Sequence, residues 1–234
     1  MSETTTSRAS RSRLPRDQRV AEILLAARQA LREKGSEQFL VSDVAARCGV
    51  SEATIYKYFA TRRDLLMQVA ESLFEEFLAE PPPYGRMTSF RDRLLQVIWH
   101  ALSIVRREPA LTRFVLMELR ADPDYRKMGV YELNRRIAQR VTDVVEEGVA
   151  RGEARPGLPM KLVRDIIFGA IEHQTWAYLR GEGDFSAEET AEGIADILVE
   201  GVARRGAGGA ALDRTAARLE ALADRLAARL DASE

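Results

Sequence analysis

The sequence predicts an all-α protein. Apolar residues recur at the three-to-four spacing of amphipathic helices along nearly the whole chain, and strict alternation of apolar and polar residues is almost absent. The prolines, at 15, 81–83, 109, 123, 156 and 159, fall between these periodic segments and punctuate them. With 234 residues, 46% of them apolar and 30% charged, the chain is long enough to bury a core without staples. Helices are expected on both sides of the triple proline, with an additional C-terminal amphipathic helix.

The elements follow in order. Val20, Ile23, Leu24, Ala27 and Leu31 form the apolar stripe of a first helix over 17–34, and Gly35 ends it. Short helices are predicted at 42–48 and 52–58, the second capped by Ser51. Thr61 and Asp64 resemble a capping box that opens a longer helix carrying Leu65, Leu66, Val69, Leu73 and Phe77, which Pro81-Pro82-Pro83 stops. Further helices are predicted at 88–107, 110–121, 124–151, 159–180 and 187–204, with Pro109 and Pro123 near helix starts, where a missing N–H is harmless. Gly206-Ala207-Gly208-Gly209 reads as a flexible joint. Beyond it, Leu212, Leu219, Leu222, Leu226 and Leu230 share one helical face, which needs a partner surface on its own dimer or on another protein.

Composition excludes several classes. No apolar run reaches the roughly 18 residues that span a bilayer, so no membrane association is expected. The Ser/Thr/Arg-rich segment 1–16 lacks the apolar core of a secretory signal. A single cysteine, Cys48, rules out an intramolecular disulfide and a cysteine-based zinc site, and His100 and His173 are the only histidines, so neither metal nor cofactor is expected. A reducing, cytoplasmic setting follows. Charge is unevenly spread: residues 1–63 carry 12 Lys/Arg against 7 Asp/Glu, whereas the rest carries 23 against 29. A basic head on an acidic body fits a polyanion-binding end, or it is a chance asymmetry.

Residues 42–58, SDVAARCGVSEATIYKY, concentrate the chemistry. Ala45 is small where a second helix crosses the first, Gly49 can take the positive φ that ends a helix abruptly, and Val50 and Ile55 fill the angle between the two. That spacing is a helix-turn-helix, whose second helix enters the DNA major groove. Tyr56, Lys57 and Tyr58 offer phenolic hydroxyls and an ammonium to phosphates. The alternative makes the tyrosines core residues and Lys57 a solvated charge, but two tyrosines two residues apart on one helix cannot both face one core.

The run VSDVAARCGVSEATIYKYFATRRDLL, with the amphipathic helix and Gly35 before it, resembles the DNA-binding domain of the TetR family of transcriptional regulators across about residues 17–70. The resemblance implies a homodimer that binds palindromic double-stranded DNA through three helices of each subunit and a small effector through a helical body. It divides the chain into a basic flexible tail (1–16), the helix-turn-helix domain (17–63), an effector-binding and dimerisation domain (64–205), and the joint with its C-terminal helix (206–234). Carried over residue by residue, Ser51, Thr54, Tyr56, Lys57 and Tyr58 contact DNA, and Arg62, where the family often has Lys, meets phosphate at the start of the fourth helix. Position 40, often a phosphate-binding Thr in the family, is Leu40 here, and Ser42 is its substitute. Glu52 is repelled by phosphate but can accept a hydrogen bond from cytosine N4. Arg8, Arg11, Arg13 and Arg16 either follow the DNA backbone or belong to a solubilising tail.

Residues 109–178 resemble more weakly the fatty-acyl-CoA-responsive FadR group of the same family. That resemblance implies a hydrophobic effector, a long-chain acyl-CoA, held by Trp99, Phe114, Met117, Tyr131, Phe168, His173 and Trp176, with Arg120 near its phosphates. The same side chains could hold an aromatic or cationic small molecule, as in a regulator of efflux or catabolic genes, or could simply be core. Gly169, Ala170, Ala177, Gly193, Ala195 and Gly201 put small residues on the last two body helices, which pair with the mate in the family; close packing within the subunit is the alternative. An enzyme is not expected, since HExxH, GxSxG and P-loop motifs are absent, and Gly206-x-Gly208-x-x-Ala211 follows no strand. A repressor is the favoured reading, against a helical protein-interaction module without DNA binding.

Overall fold

A computed structural model of the chain describes residues 15–80 and 89–202. Among the described residues the regular elements are helical: α1 (Arg16–Lys34), α2 (Val41–Cys48), α3 (Glu52–Ile55), α4 (Arg62–Ala79), α5 (Phe90–Arg107), α6 (Pro109–Phe114), α7 (Gly129–Ala150), α8 (Met160–Leu179) and α9 (Ala187–Val202). The basic tail, the triple proline, the joint and the Leu212–Leu230 face lie outside the described residues. No described helix is long and apolar enough to cross a membrane.

The chain divides into two compact units, one drawn from Met1–Pro81 and Ser103–Ile137, the other from Pro82–Leu102 and Ala138–Glu234. The first is discontinuous for a physical reason. Ile23, Leu31, Phe39, Val44, Ile55, Phe59, Leu65 and Leu66 of the N-terminal helices share one buried cluster with Leu111, Phe114, Val115, Leu119, Val130 and Ile137. Each such side chain stabilises by roughly 1.5–3 kcal/mol when fully buried. Segment 103–137 is thus part of the core on which the small N-terminal helices rest.

Two predicted elements differ in detail. The single helix expected at 110–121 is α6 followed by a π turn over Val115–Leu119, closed by Arg120 N–H donating to the Val115 carbonyl at 2.9 Å. The wider turn leaves Leu111, Phe114, Val115 and Leu119 all in the core. The helix expected to begin at 124 opens instead with a 3-10 turn, Tyr125–Lys127, and an extended Met128 before α7 starts at Gly129.

In the second unit, α5, α7, α8 and α9 bury Leu94, Ile98, Val141, Val144, Val145, Ile167, Ala191 and Ala195. A Cβ on Gly148 of α7 would stand 2.6 Å from the Phe90 ring of α5, so only glycine permits that approach. Arg93, 2% exposed, pairs with Glu147 at 3.6 Å and with Glu153. Burial of a guanidinium requires such partners.

Candidate nucleic-acid interface

The helix-turn-helix is built as its sequence dictates. Gly49 adopts φ 62°, ψ 37°, the left-handed conformation that ends α2, and Val50 N–H returns to the Ala45 carbonyl at 3.0 Å. Ala45 and Ile55 are 4% and 1% exposed, at the contact between α2 and α3. Ser51 caps α3, its hydroxyl accepting from the Thr54 N–H at 3.2 Å and lying 3.0 Å from the Thr54 hydroxyl. α3 is shorter than predicted: it is helical over Glu52–Ile55, and Tyr56–Tyr58 continue as turns, with Tyr58 and Phe59 N–H both donating to the Ile55 carbonyl.

Ser42, Ser51, Glu52, Tyr56 and Lys57 are exposed, and Thr54 and Tyr58 are half-buried. Of the two tyrosines, Tyr56 projects outward, 46% exposed. The Arg16 guanidinium lies 5.5 Å from the Tyr58 ring centroid, a cation–π contact that joins the start of α1 to the recognition segment. Arg62 departs from expectation. Its Nε donates to the Phe39 carbonyl at 3.1 Å and its Nη2 to the Ser36 carbonyl, while the guanidinium stacks over Phe39. These bonds turn it toward the α1–α2 connection, away from the phosphate role the resemblance implies. Leu40 stands at the N-cap of α2 with no side-chain cap and is 55% exposed.

α4 opens on a variant of the predicted capping box: Thr61 Oγ1 accepts from Asp64 N–H at 3.0 Å, and Asp64 accepts at 2.9 Å from the N–H of Ala60, one residue before the cap. Sequence reasoning missed the ionic ties to segment 108–122. Glu108, 2% exposed and at the N-cap of α6, accepts from Arg28 Nε and Arg32 Nε, each at 2.8 Å. Burial raises its carboxyl, but the donors from Arg32 and Arg28 outweigh that and hold it below the ordinary range. Arg28 also reaches Glu76 of α4 at 2.8 Å, and Arg63 pairs with Asp122 at 2.5 Å. A Glu immediately before a Pro at a helix start was the available signal for the first of these.

The eight expected effector residues fall four to each unit. In the first, Phe114 is fully buried, Met117 and Tyr131 are half-buried, and Arg120 is exposed. Tyr131 packs edge-on against Tyr125, with centroids 5.4 Å apart. In the second, Phe168 and Trp176 are half-buried and His173 is exposed. Trp99 lines a surface groove of about 300 Å³ with Leu95, Gln96, Glu188 and Glu192, and its indole N–H donates to Glu188 at 2.9 Å. On α8 and α9, Leu162, Ile166 and Ile197 are 54%, 52% and 74% exposed, on the same faces as the exposed Gly169, Gly193 and Gly201. Nothing lies within 4 Å of a Cβ built on any of those three glycines.

Residues 23–69 match the tetR family of bacterial regulatory proteins, and residues 87–202 match the tetracyclin repressor-like C-terminal domain. The fatty acid metabolism regulator protein of Bacillus subtilis is 24% identical over 182 residues, covering 77% of this chain and 94% of that protein. The transcriptional repressor KstR2 of Mycolicibacterium smegmatis is 23% identical, covering 77% and 89%. The crystal structure of FadR from Bacillus subtilis in complex with stearoyl-CoA superposes with a TM-score of 0.63 at 24% identity, covering 77% and 98%. A putative transcriptional regulator from Saccharomonospora viridis in complex with choline gives 0.67 at 20% identity, covering 81% and 100%. With both its helix-turn-helix and its helical body matched, the chain belongs to the TetR family of DNA-binding transcription regulators.

Proposed function

We propose that the protein is a homodimeric repressor, acting in the cytoplasm, that leaves a palindromic operator when a long-chain acyl-CoA binds its body. The observation that carries the DNA half is the capped turn Gly49–Ser51, which supports Ser42, Ser51, Glu52, Thr54, Tyr56, Lys57 and Tyr58 as one contact row. Lys57 and Tyr58 address phosphate, while Thr54 and Tyr56 read bases. Lys57→Ala therefore weakens operator and random DNA alike, and Tyr56→Ala changes sequence preference. The open apolar and glycine faces of α8 and α9 support dimerisation with a second copy.

The likeness to the Bacillus fatty acid regulator, and to FadR bound to stearoyl-CoA, supports the acyl-CoA. Within the first unit Phe114, Met117 and Tyr131 would meet the chain and Arg120 the phosphates; the other expected residues, Trp99, Phe168, His173 and Trp176, belong to the second unit. A ligand releases DNA only if it binds the released state more tightly, and a coupling of about 1–3 kcal/mol is typical. Titration of acyl-CoAs of graded length into the protein–operator complex tests this reading: release that rises with chain length supports it, and no release at any length removes it.

A second reading, a cationic small molecule, is favoured by Trp99 beside Glu188 and Glu192 and by the choline-bound neighbour. An aromatic face with carboxylates suits an organic cation. Release of DNA by choline, with acyl-CoAs inert, would select it.

A further inference from the structure

Two arginines open α4, directly after the recognition segment, and the structure gives them different work. Arg62 is committed to the Ser36 and Phe39 carbonyls. Arg63 is 48% exposed and, among the described residues, pairs with Asp122, which is 20% exposed. The two carboxylate oxygens of Asp122 are not equivalent: Oδ1 accepts from the Asp124 N–H at 2.8 Å, and Oδ2 meets Arg63 at 2.5 Å. The turn therefore fixes the carboxylate, and the Asp124 N–H and Arg63 hold it ionised below the usual range. Arg63, on a long unbranched stem, is the member of the pair free to swing.

We propose that Arg63 is a DNA-phosphate contact that Asp122 holds in the free protein and surrenders when the duplex arrives. The capping box fixes the start of α4 only a few residues beyond Tyr56, Lys57 and Tyr58, so the Arg63 stem is rooted at the edge of the DNA-facing row. An exposed ion pair is weak enough for a phosphodiester to replace it, and a guanidinium suits phosphate as well as carboxylate. Asp122 is thus a stand-in anion: it keeps α4's available guanidinium ordered before binding and sets a cost on its release. This inference rests on the DNA-binding reading and assigns that interface a residue the family resemblance does not supply.

The test is a salt titration of binding to a labelled duplex of random sequence, which reports phosphate contacts without needing the operator. Arg63→Gln should weaken binding and flatten the slope of log K against log salt by about 0.9 for each subunit. Arg63→Lys should keep the slope. Asp122→Asn retains the acceptor of the turn and removes the charge, so it should tighten binding by up to about fivefold per subunit, the strength of an exposed ion pair. That gain should vanish in the Arg63→Gln background. An unchanged slope in Arg63→Gln overturns the proposal. So does a gain from Asp122→Asn that persists without Arg63, which would make Asp122 a source of repulsion alone. Wild-type protein that binds no duplex even at low salt would instead overturn the DNA-binding reading itself.

Discussion

Glu71 of α4 and Gly129 at the start of α7 are fitted to one another: a Cβ on residue 129 would stand 2.6 Å from Glu71 Oε1. The same carboxylate accepts from the Val130 N–H, so one helix caps another. Burial raises the Glu71 carboxyl, and the Val130 N–H only partly offsets it. The folded state therefore binds this proton more tightly than the unfolded state does. Its contribution to stability is complete below the ordinary carboxylate value and is lost as pH rises through the raised one. Glu71→Gln should abolish that decline, and urea midpoints followed between about pH 4 and pH 8 would show it.

Glu108 carries the opposite sign. Its folded value is lowered, so its stabilisation is present at neutral pH and is lost as pH falls through that lowered value. Glu108→Gln should cost about 1–3 kcal/mol at neutral pH. A fully buried pair costs more when broken, but Arg28 and Arg32 retain 21% and 48% exposure and can turn to water. The difference between variant and wild type should close in acid, as denaturant titration at two pH values would record.

Leu40 occupies a position that favours a hydroxyl. Leu40→Thr should gain about 0.5–2 kcal/mol by capping α2. It should also tighten DNA binding in a salt-dependent way if the added hydroxyl takes the phosphate role that the resemblance implies for position 40. Thermal melts and the salt slope measure the two effects separately.

Ile197, 74% exposed among glycines on α9, should lie in the dimer contact. Ile197→Asp places a charge there that burial would penalise strongly. Sedimentation should show monomers at concentrations where wild type is dimeric, with helical content unchanged.

Much of this was legible in the residues. Periodicity and proline placement give the helices because apolar stripes and missing N–H groups act locally. Gly49, Ser51 and Thr61 announce their roles for the same reason: a left-handed turn and two caps need only near neighbours. Arg62 was misleading, because whether a guanidinium faces phosphate or carbonyl depends on Ser36 and Phe39, more than twenty residues away in sequence. The Glu108 and Asp122 pairings span 76 and 59 residues, and no local pattern encodes them. The π turn escaped because its i→i+5 bond serves four core side chains at once, a requirement visible only with the core assembled.

The shared core of the first unit bears on how such regulators can be recombined. A chimera that joins residues 1–81 to a foreign body would take Glu108 from Arg28 and Arg32 and Asp122 from Arg63, and would expose the surface that Leu111, Phe114 and Leu119 cover. Transplanting the reading head intact means moving two stretches of chain together, with segment 103–137 carried as part of the head it stabilises.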